Sequence, residues 1–177
     1  MIDKLNTYTV SIYTENNIGL LNRISAIFLK RHVNIESLTS SQSEIDNIYR
    51  FVIVVTMLES KIKRIIKQIE KQIEVIAAFY HTDKETIYLE SALYKVKSKS
   101  LFDEKHIQKI IKNSQANIVT VSPDYFVIEK TGWRKETEKL YKSLEPYGLL
   151  QFVRSGRISV SKEPMNISNI LGLNSDK

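Results

Sequence analysis

The stretch NNIGLLNR, residues 16–23, marks a change in the spacing of apolar side chains. Before it, apolar residues alternate with polar ones, which is the period of a β-strand, and Tyr8, Val10 and Ile12 share one face. After it, apolar residues recur with the 3.6-residue period of a helix, at Leu20, Ile24, Ile27 and Phe28. This part of the sequence therefore predicts a strand, a short loop and a helix.

The loop itself has the composition of a helix start. Asn16 and Asn17 are good candidates for the N-cap, and Gly19 lacks the Cβ that would keep a ligand away from the backbone. Backbone N–H groups at the start of a helix form a favourable site for a carboxylate or a phosphate. The pattern alone leaves two interpretations open: an anion-binding loop, or a glycine that only eases the turn from strand to helix.

Composition limits the class of protein. The chain has 177 residues, enough for one larger domain or two small ones, and 42% of them are hydrophobic. It contains no cysteine, so we expect neither a disulfide framework nor a thiolate metal site. There is no run of 18 apolar residues, and residues 1–7 lack the apolar core of a signal peptide. The net charge of +6 permits acidic partners without demanding them, and we expect a cytoplasmic protein.

The first half of the chain predicts a βαββαβ order. The predicted elements are a strand at Tyr8–Thr14, a helix at Leu20–Arg31, strands at Asn34–Ser43 and Ile48–Thr56, a helix from Glu59, and a strand at Ile73–Tyr80. Lysines on the second helix, Lys63, Lys67 and Lys71, have glutamates among or near them, which favours a solvated face over a nucleic-acid stripe. This order is that of the ferredoxin-like fold.

The same order recurs in the second half. It comprises a strand at Thr86–Val96, a helix at Asp103–Asn113, a hairpin of Ala116–Ser122 and Tyr125–Thr131, a helix with Trp133, Thr137, Leu140, Tyr141 and Leu144 on one face, and a last strand at Leu149–Val160. We therefore predict an α+β protein with two ferredoxin-like domains in tandem, at residues 7–82 and 85–162. Residues 163–177 form a polar tail, in which Ile167, Ile170 and Leu171 can make a docking turn.

No catalytic constellation is recognisable. The three histidines, His32, His81 and His106, lack the spacing of a helical zinc site. Asp103 and Glu104 are better explained as the acidic first turn of a helix than as an acid–base pair. Aromatic residues on the predicted strands favour core or dimer packing over the stacking of RNA bases. We predict no catalytic residue, no metal ligand, and neither nucleic acid nor membrane as a partner.

Two further stretches make a family resemblance specific. They are NIESL at residues 34–38 and VRSG at 153–156, and with the Asn-x-x-Gly-x-Leu-x-Arg pattern of residues 16–23 they resemble the small, regulatory subunit of acetolactate synthase (acetohydroxyacid synthase). That family begins with an ACT domain, a ferredoxin-like module that binds amino acids. The resemblance extends from Tyr8 to about Lys162. The chain departs from it in the extension at residues 1–7 and in a lysine-rich second domain with a polar tail.

The resemblance implies a binding site for a regulatory amino acid. Two ACT domains would pair side by side and hold valine, or another branched-chain amino acid, in their shared interface. The Gly19 and Leu20 N–H groups would bind its carboxylate. The side-chain oxygens of Asn16 and Asn34 would bind its ammonium group, with Asn34 from the opposite chain. Leu21 and Ile35 would contact its methyl groups.

The resemblance also implies a partner. The chain would have no catalysis of its own; it would activate a separate large subunit that carries thiamine diphosphate, magnesium and FAD, and would bind no cofactor itself. Through that partner it would control the first common step of branched-chain amino-acid synthesis. The alternative is a stand-alone amino-acid sensor with an ACT domain that acts in transcriptional regulation, although no helix-turn-helix or basic arm is visible in the sequence.

Overall fold

The computed structural model describes residues 4–99, 105–170 and 172. They form two compact units. The first contains the chain up to Tyr88 together with the chain from Arg157 onward, and the second is Leu89–Gly156. These units differ from the domains expected at 7–82 and 85–162 and from the tail at 163–177, because the chain returns to the first unit at Arg157 and so passes between the units twice.

The elements of the first half are β1 (Leu5–Glu15), α1 (Leu20–Leu29), β2 (Ile35–Gln42), β3 (Ile48–Leu58), α2 (Glu59–Ile69) and β4 (Val75–Thr82). The strands form an antiparallel sheet in the order β2-β3-β1-β4, which confirms the ferredoxin-like prediction. One face of this sheet carries Tyr8, Val10 and Ile12, packed against the apolar faces of α1 and α2. Each fully buried aliphatic side chain there contributes about 1.5–3 kcal/mol.

The elements that follow are β5 (Thr86–Lys97), α3 (Lys105–Asn113), β6 (Asn117–Val121), β7 (Tyr125–Gly132), α4 (Arg134–Leu144), a 3-10 turn (Glu145–Tyr147), β8 (Leu149–Arg154), β9 (Ile158–Ser161) and α5 (Ile167–Ile170). In the second unit the strand order is β6-β7-β5-β8, again the ferredoxin-like order. Its core contains Tyr94, whose hydroxyl donates to the Thr137 carbonyl at 2.6 Å. Burial raises the pKa of Tyr94 to about 12, so it remains a neutral hydrogen-bond donor.

Three expectations for the second half need correction or fall outside the described residues. The last strand, expected at Leu149–Val160, is two strands, β8 and β9, which both pair with β5 and are separated by residues 155–157; there the Ser155 N–H donates to the Ser91 carbonyl at 2.7 Å. Trp133 does not share the buried face of α4; it precedes the helix, is 59% exposed, and its N–H donates to Glu136 at 2.8 Å. Asp103 and Glu104 lie outside the described residues.

The returning C-terminal segment, residues 157–170, covers the face of the first sheet that lacks helices. Arg157 is only 8% exposed, and its Nη1 donates to the Thr9 hydroxyl at 2.8 Å and to the Asp83 carboxylate at 2.6 Å. Its guanidinium also lies 3.7 Å from the centre of the Tyr88 ring. The segment therefore completes the first unit and is not a loose tail. Among the described residues, no helix is long and apolar enough to cross a membrane.

We expect Arg157→Ala to lower the free energy of unfolding by about 1–3 kcal/mol, because the buried Thr9 hydroxyl loses its charged donor. The measurements are the urea midpoint and the rate of proteolysis within residues 157–170. Asp83→Asn is the control: the Asp83 side chain is 41% exposed, so loss of its charge costs less than about 1 kcal/mol. Equal effects of the two variants, or unchanged proteolysis, would contradict the role assigned to Arg157.

Candidate functional site

The loop between β1 and α1 is held by its backbone rather than by the expected asparagine caps. Gly19 is the N-cap of α1 in a left-handed conformation (φ 81°), and no side chain caps the helix. Asn17 instead donates through Nδ2 to the Glu15 carboxylate at 3.3 Å. A left-handed residue costs an L-amino acid roughly 1–2 kcal/mol, which explains the glycine. The expectation that Asn16 or Asn17 caps the helix is therefore wrong.

Among the residues that the structure describes, three N–H groups at this helix start have no hydrogen-bond partner. The Leu20 N–H, expected to bind a ligand, donates weakly to the Asn17 carbonyl at 3.3 Å, and the regular helix bonds begin with the Arg23 N–H on the Gly19 carbonyl at 3.2 Å. Within the described part of the chain, the N–H groups of Gly19, Leu21 and Asn22 have no hydrogen-bond partner. Free N–H groups at a helix N-terminus attract anions.

Space in front of the loop is also open. Residues 15–19 are exposed, and a Cβ added to Gly19 would meet no atom within 4 Å. Packing within this chain therefore does not require a glycine here; the left-handed φ alone does. The free N–H groups are accessible to a small molecule or to a second copy of the chain.

An ion pair that the sequence did not predict fixes the first turn of α1. Arg23 Nη2 donates to Glu74 Oε1 at 2.5 Å, and the neighbouring Glu15 N–H donates to the Glu74 carbonyl at 3.0 Å. The hydrogen bond from Arg23 lowers the pKa of Glu74, so the pair stays ionised at neutral pH. The sequence identified Arg23 only as part of the family pattern, because its partner Glu74 lies 51 positions away and leaves no local signal.

The remaining expected site residues, Asn34 and Ile35, lie at the opposite end of the sheet. Ile35 pairs with Val55, which in turn pairs with Tyr8, whereas the loop follows Glu15 at the far end of the same strand. The seven residue-to-residue steps from Tyr8 to Glu15 span about 23 Å at about 3.3 Å each. Within one chain, the structure brings Asn16, Gly19, Leu20 and Leu21 together, and it holds Asn34 and Ile35 apart from them.

The first helix of the first unit has exposed apolar side chains. Leu21 and Leu29 are 40% and 73% exposed on α1. β2 is an edge strand of the sheet and pairs only with β3 among the described residues. An unpaired strand edge and exposed apolar side chains are both features that favour association with another chain.

The histidines do not form a site. His32 follows α1 in a left-handed conformation (φ 53°), where its N–H donates to the Leu29 carbonyl at 2.9 Å. His81 lies on β4 and His106 on α3. No group of three His, Asp or Glu residues in the described ranges is close enough to hold a metal ion.

Two family models match the chain. The model described as an AHAS small subunit-like ACT domain matches residues 10–77. The model described as the small subunit of acetolactate synthase matches residues 89–163. Together they cover both ferredoxin-like units.

Relatives match over almost their whole length. The acetolactate synthase small subunit of Mycobacterium bovis is 34% identical over 91% of this chain and 95% of its own. That of Bacillus subtilis is 34% identical over 86% and 89%. The crystal structure of the acetolactate synthase small subunit from Thermotoga maritima superposes with a TM-score of 0.77 at 26% identity, covering 90% of this chain and 99% of that one. By sequence and by structure, the chain belongs to the family of acetolactate synthase small subunits.

Proposed function

We propose that this chain is a regulatory subunit that activates a separate large catalytic subunit of acetolactate synthase and makes it sensitive to valine or another branched-chain amino acid. The observation that carries the proposal is the exposed Gly19 loop, with its three free N–H groups, in a chain of this family. The chemistry belongs to the partner, which we expect to hold thiamine diphosphate, magnesium and FAD. No feature of the described residues favours the transcriptional alternative.

The effector carboxylate would bind the free N–H groups at the start of α1. Gly19, Leu21 and Asn22 offer these donors directly, and Leu20 adds a fourth if its 3.3 Å bond to Asn17 opens. The helix dipole favours a negative charge at the same place. Asn16 is exposed beside the loop and supplies an oxygen for the ammonium group.

A second copy of the chain would supply the other half of the site. If two β2 edges pair antiparallel about a two-fold axis, the start of one β2 lies beside the end of the other. The end of β2 and the Gly19 loop lie at the same end of the sheet, since Gln42 pairs with Tyr49 near the Glu15 end of β1. Asn34 and Ile35 of one protomer therefore approach the loop of its partner, which couples effector binding to the dimer.

This arrangement would limit the selectivity among branched-chain amino acids and would link effector binding to inhibition of the catalytic partner. Each buried methylene contributes only ~0.8 kcal/mol, so the site separates valine, leucine and isoleucine weakly. An effector held between two chains can shift the dimer from one arrangement to another only if it binds one of them more tightly. That difference in affinity is the coupling free energy available to inhibit the catalytic partner.

The first test is reconstitution. The purified chain with thiamine diphosphate, magnesium and FAD should form no acetolactate from pyruvate, whereas adding the cognate large subunit should raise the rate above that of the large subunit alone. Valine should then lower the rate of the complex but not that of the large subunit alone. Turnover by the chain free of large subunit, or no stimulation of a large subunit that co-purifies with it, would overturn the proposal.

The second test compares Gly19→Asp with Gly19→Asn. Both side chains meet the same left-handed backbone, which Asp and Asn tolerate better than other residues, so their difference in valine affinity reports the added charge. Two carboxylates about 4 Å apart repel by about 1–4 kcal/mol, which is roughly a five- to thousand-fold loss of affinity for the Asp variant. Both variants should still stimulate the partner. Equal valine sensitivity of the two would remove the loop from the effector site.

The third test asks whether Asn34 acts across the dimer. Gly19→Asp and Asn34→Ala homodimers should each bind valine poorly at this interface. A co-expressed heterodimer of the two variants should recover one intact interface site, because both defects fall in the same site when Asn34 comes from the partner. Failure to recover any site would place both residues in one chain and contradict the ~23 Å separation along the strand.

A further inference from the structure

A cavity of about 190 Å³ lies in the first unit, between the sheet face that lacks helices and the C-terminal segment. The sheet contributes Ser11, Tyr13, Arg50, Phe79 and His81. The C-terminal segment contributes the stretch from Ser159 to Ile167. Because β1 alternates, these side chains point away from α1 and α2, so the cavity and the helix core lie on opposite faces of the sheet.

Arg50 is the cation of this cavity, and it lacks a counter-ion. Its Nη2 donates to the Ser11 hydroxyl at 3.0 Å and to the Ser159 carbonyl at 2.7 Å, and the guanidinium lies 5.6 Å from the centre of the Tyr13 ring. None of the ion pairs of the described residues involves Arg50, and its Nε is buried without a hydrogen-bond partner. The Arg50 side chain is partly buried, and a partly desolvated guanidinium without a carboxylate would be completed by an anionic ligand.

Arg157, which is buried on the same sheet face, differs from Arg50 in its partners. Arg157 covers the same sheet face, yet it has a carboxylate partner in Asp83 at 2.6 Å. Arg50 instead binds only neutral groups, a hydroxyl and a carbonyl, which fix the orientation of its guanidinium. Among the described residues the Nη1 of Arg50 has no hydrogen-bond partner, so it remains able to donate to a carboxylate.

The rest of the lining supplies opposite charge and an apolar wall. Glu44 and Glu163 are exposed carboxylates at the cavity, and neither forms an ion pair among the described residues. Phe79, Met165 and Ile167 are half-buried apolar side chains. At about 30 Å³ per water the cavity holds roughly six waters, well below the roughly 300–1,000 Å³ of pockets for drug-sized ligands, so a nucleotide is too large.

We propose that this cavity is a second amino-acid site that takes a small aliphatic amino acid as its zwitterion. Arg50 binds the carboxylate, Glu44 and Glu163 bind the ammonium group, and Phe79, Met165 and Ile167 contact the side chain. An anion alone would leave the two glutamates uncompensated, which is why a zwitterion fits better than a simple carboxylic acid. All these residues belong to one chain, so this site requires no second copy and does not rest on the regulatory function proposed above.

Occupancy of this site would fasten the C-terminal segment to the sheet. The ligand would contact β1, β3 and β4 on one side and residues 163–167 on the other. These residues follow Arg157, where the chain comes back from the second unit. Binding would therefore hold residues 157–170 against the first sheet.

The test separates this site from the dimer-interface site by using Gly19→Asp, or Asn34→Ala, as the background. Full-length chain in that background should still bind valine by titration calorimetry, and valine should slow hydrogen exchange in residues 157–170. Adding Arg50→Met should weaken this binding at least ten-fold, whereas the matched control Arg64→Met, an exposed arginine on α2, should leave it unchanged. Loss of all valine binding in both backgrounds would overturn the second site while supporting the first.

A second pair of variants covers the case in which Arg50→Met fails to fold. The double variant Glu44→Gln with Glu163→Gln changes only exposed side chains and should weaken valine binding in the same background. Asp46→Asn, two residues from Glu44 and also exposed, is the control. Valine should bind more tightly than 3-methyl-2-oxobutanoate, which lacks the ammonium group, and than isobutylamine, which lacks the carboxylate. Equal binding of valine and the oxo acid, or no effect of the double variant, would overturn the zwitterion assignment.

Discussion

The packing of Arg157 against the first sheet is the interaction on which the rest of this unit depends. A four-stranded sheet with both helices on one face leaves its other face to be covered, and here that face carries buried Thr9, Ser11, Val52 and Val54. Arg157 binds this face through its side chain, while its own N–H and carbonyl bond to Ser37 and Thr39 at 3.2 Å each. The segment that follows Arg157 contributes Ser159 and other residues that line the cavity at Arg50.

The two faces of the sheet therefore have different tasks. The helix side carries the Gly19 loop and the exposed Leu21 and Leu29 side chains, and the ligand site proposed there would be complete only in a dimer. The opposite side is closed by the chain itself and keeps a charged cavity inside one protomer. β1 serves both, because alternate residues of the same strand, such as Ile12 and Tyr13, point to opposite faces.

Local patterns predicted most of the elements and the position of the loop, because strand and helix periods are read from neighbouring residues. Gly19 was recognisable as special, although its left-handed φ replaced the expected asparagine caps. Contacts between distant positions were not predictable: Arg23 with Glu74, and Arg157 with Thr9, have no local signature. The return at Arg157 was missed for the same reason, since Leu149–Val160 has the composition of one continuous strand.

The division of the first unit between the two ends of the chain has a consequence for its synthesis. A ribosome adds roughly 5–20 residues per second, so the 68 residues of Leu89–Gly156 take roughly 3–14 seconds to make. During that interval β1 to β4 are complete, but Val52 and Val54 have no cover. The nascent first unit thus presents an uncovered sheet face until Arg157 emerges, so residues translated after the whole of the second unit are the ones that finish the first unit.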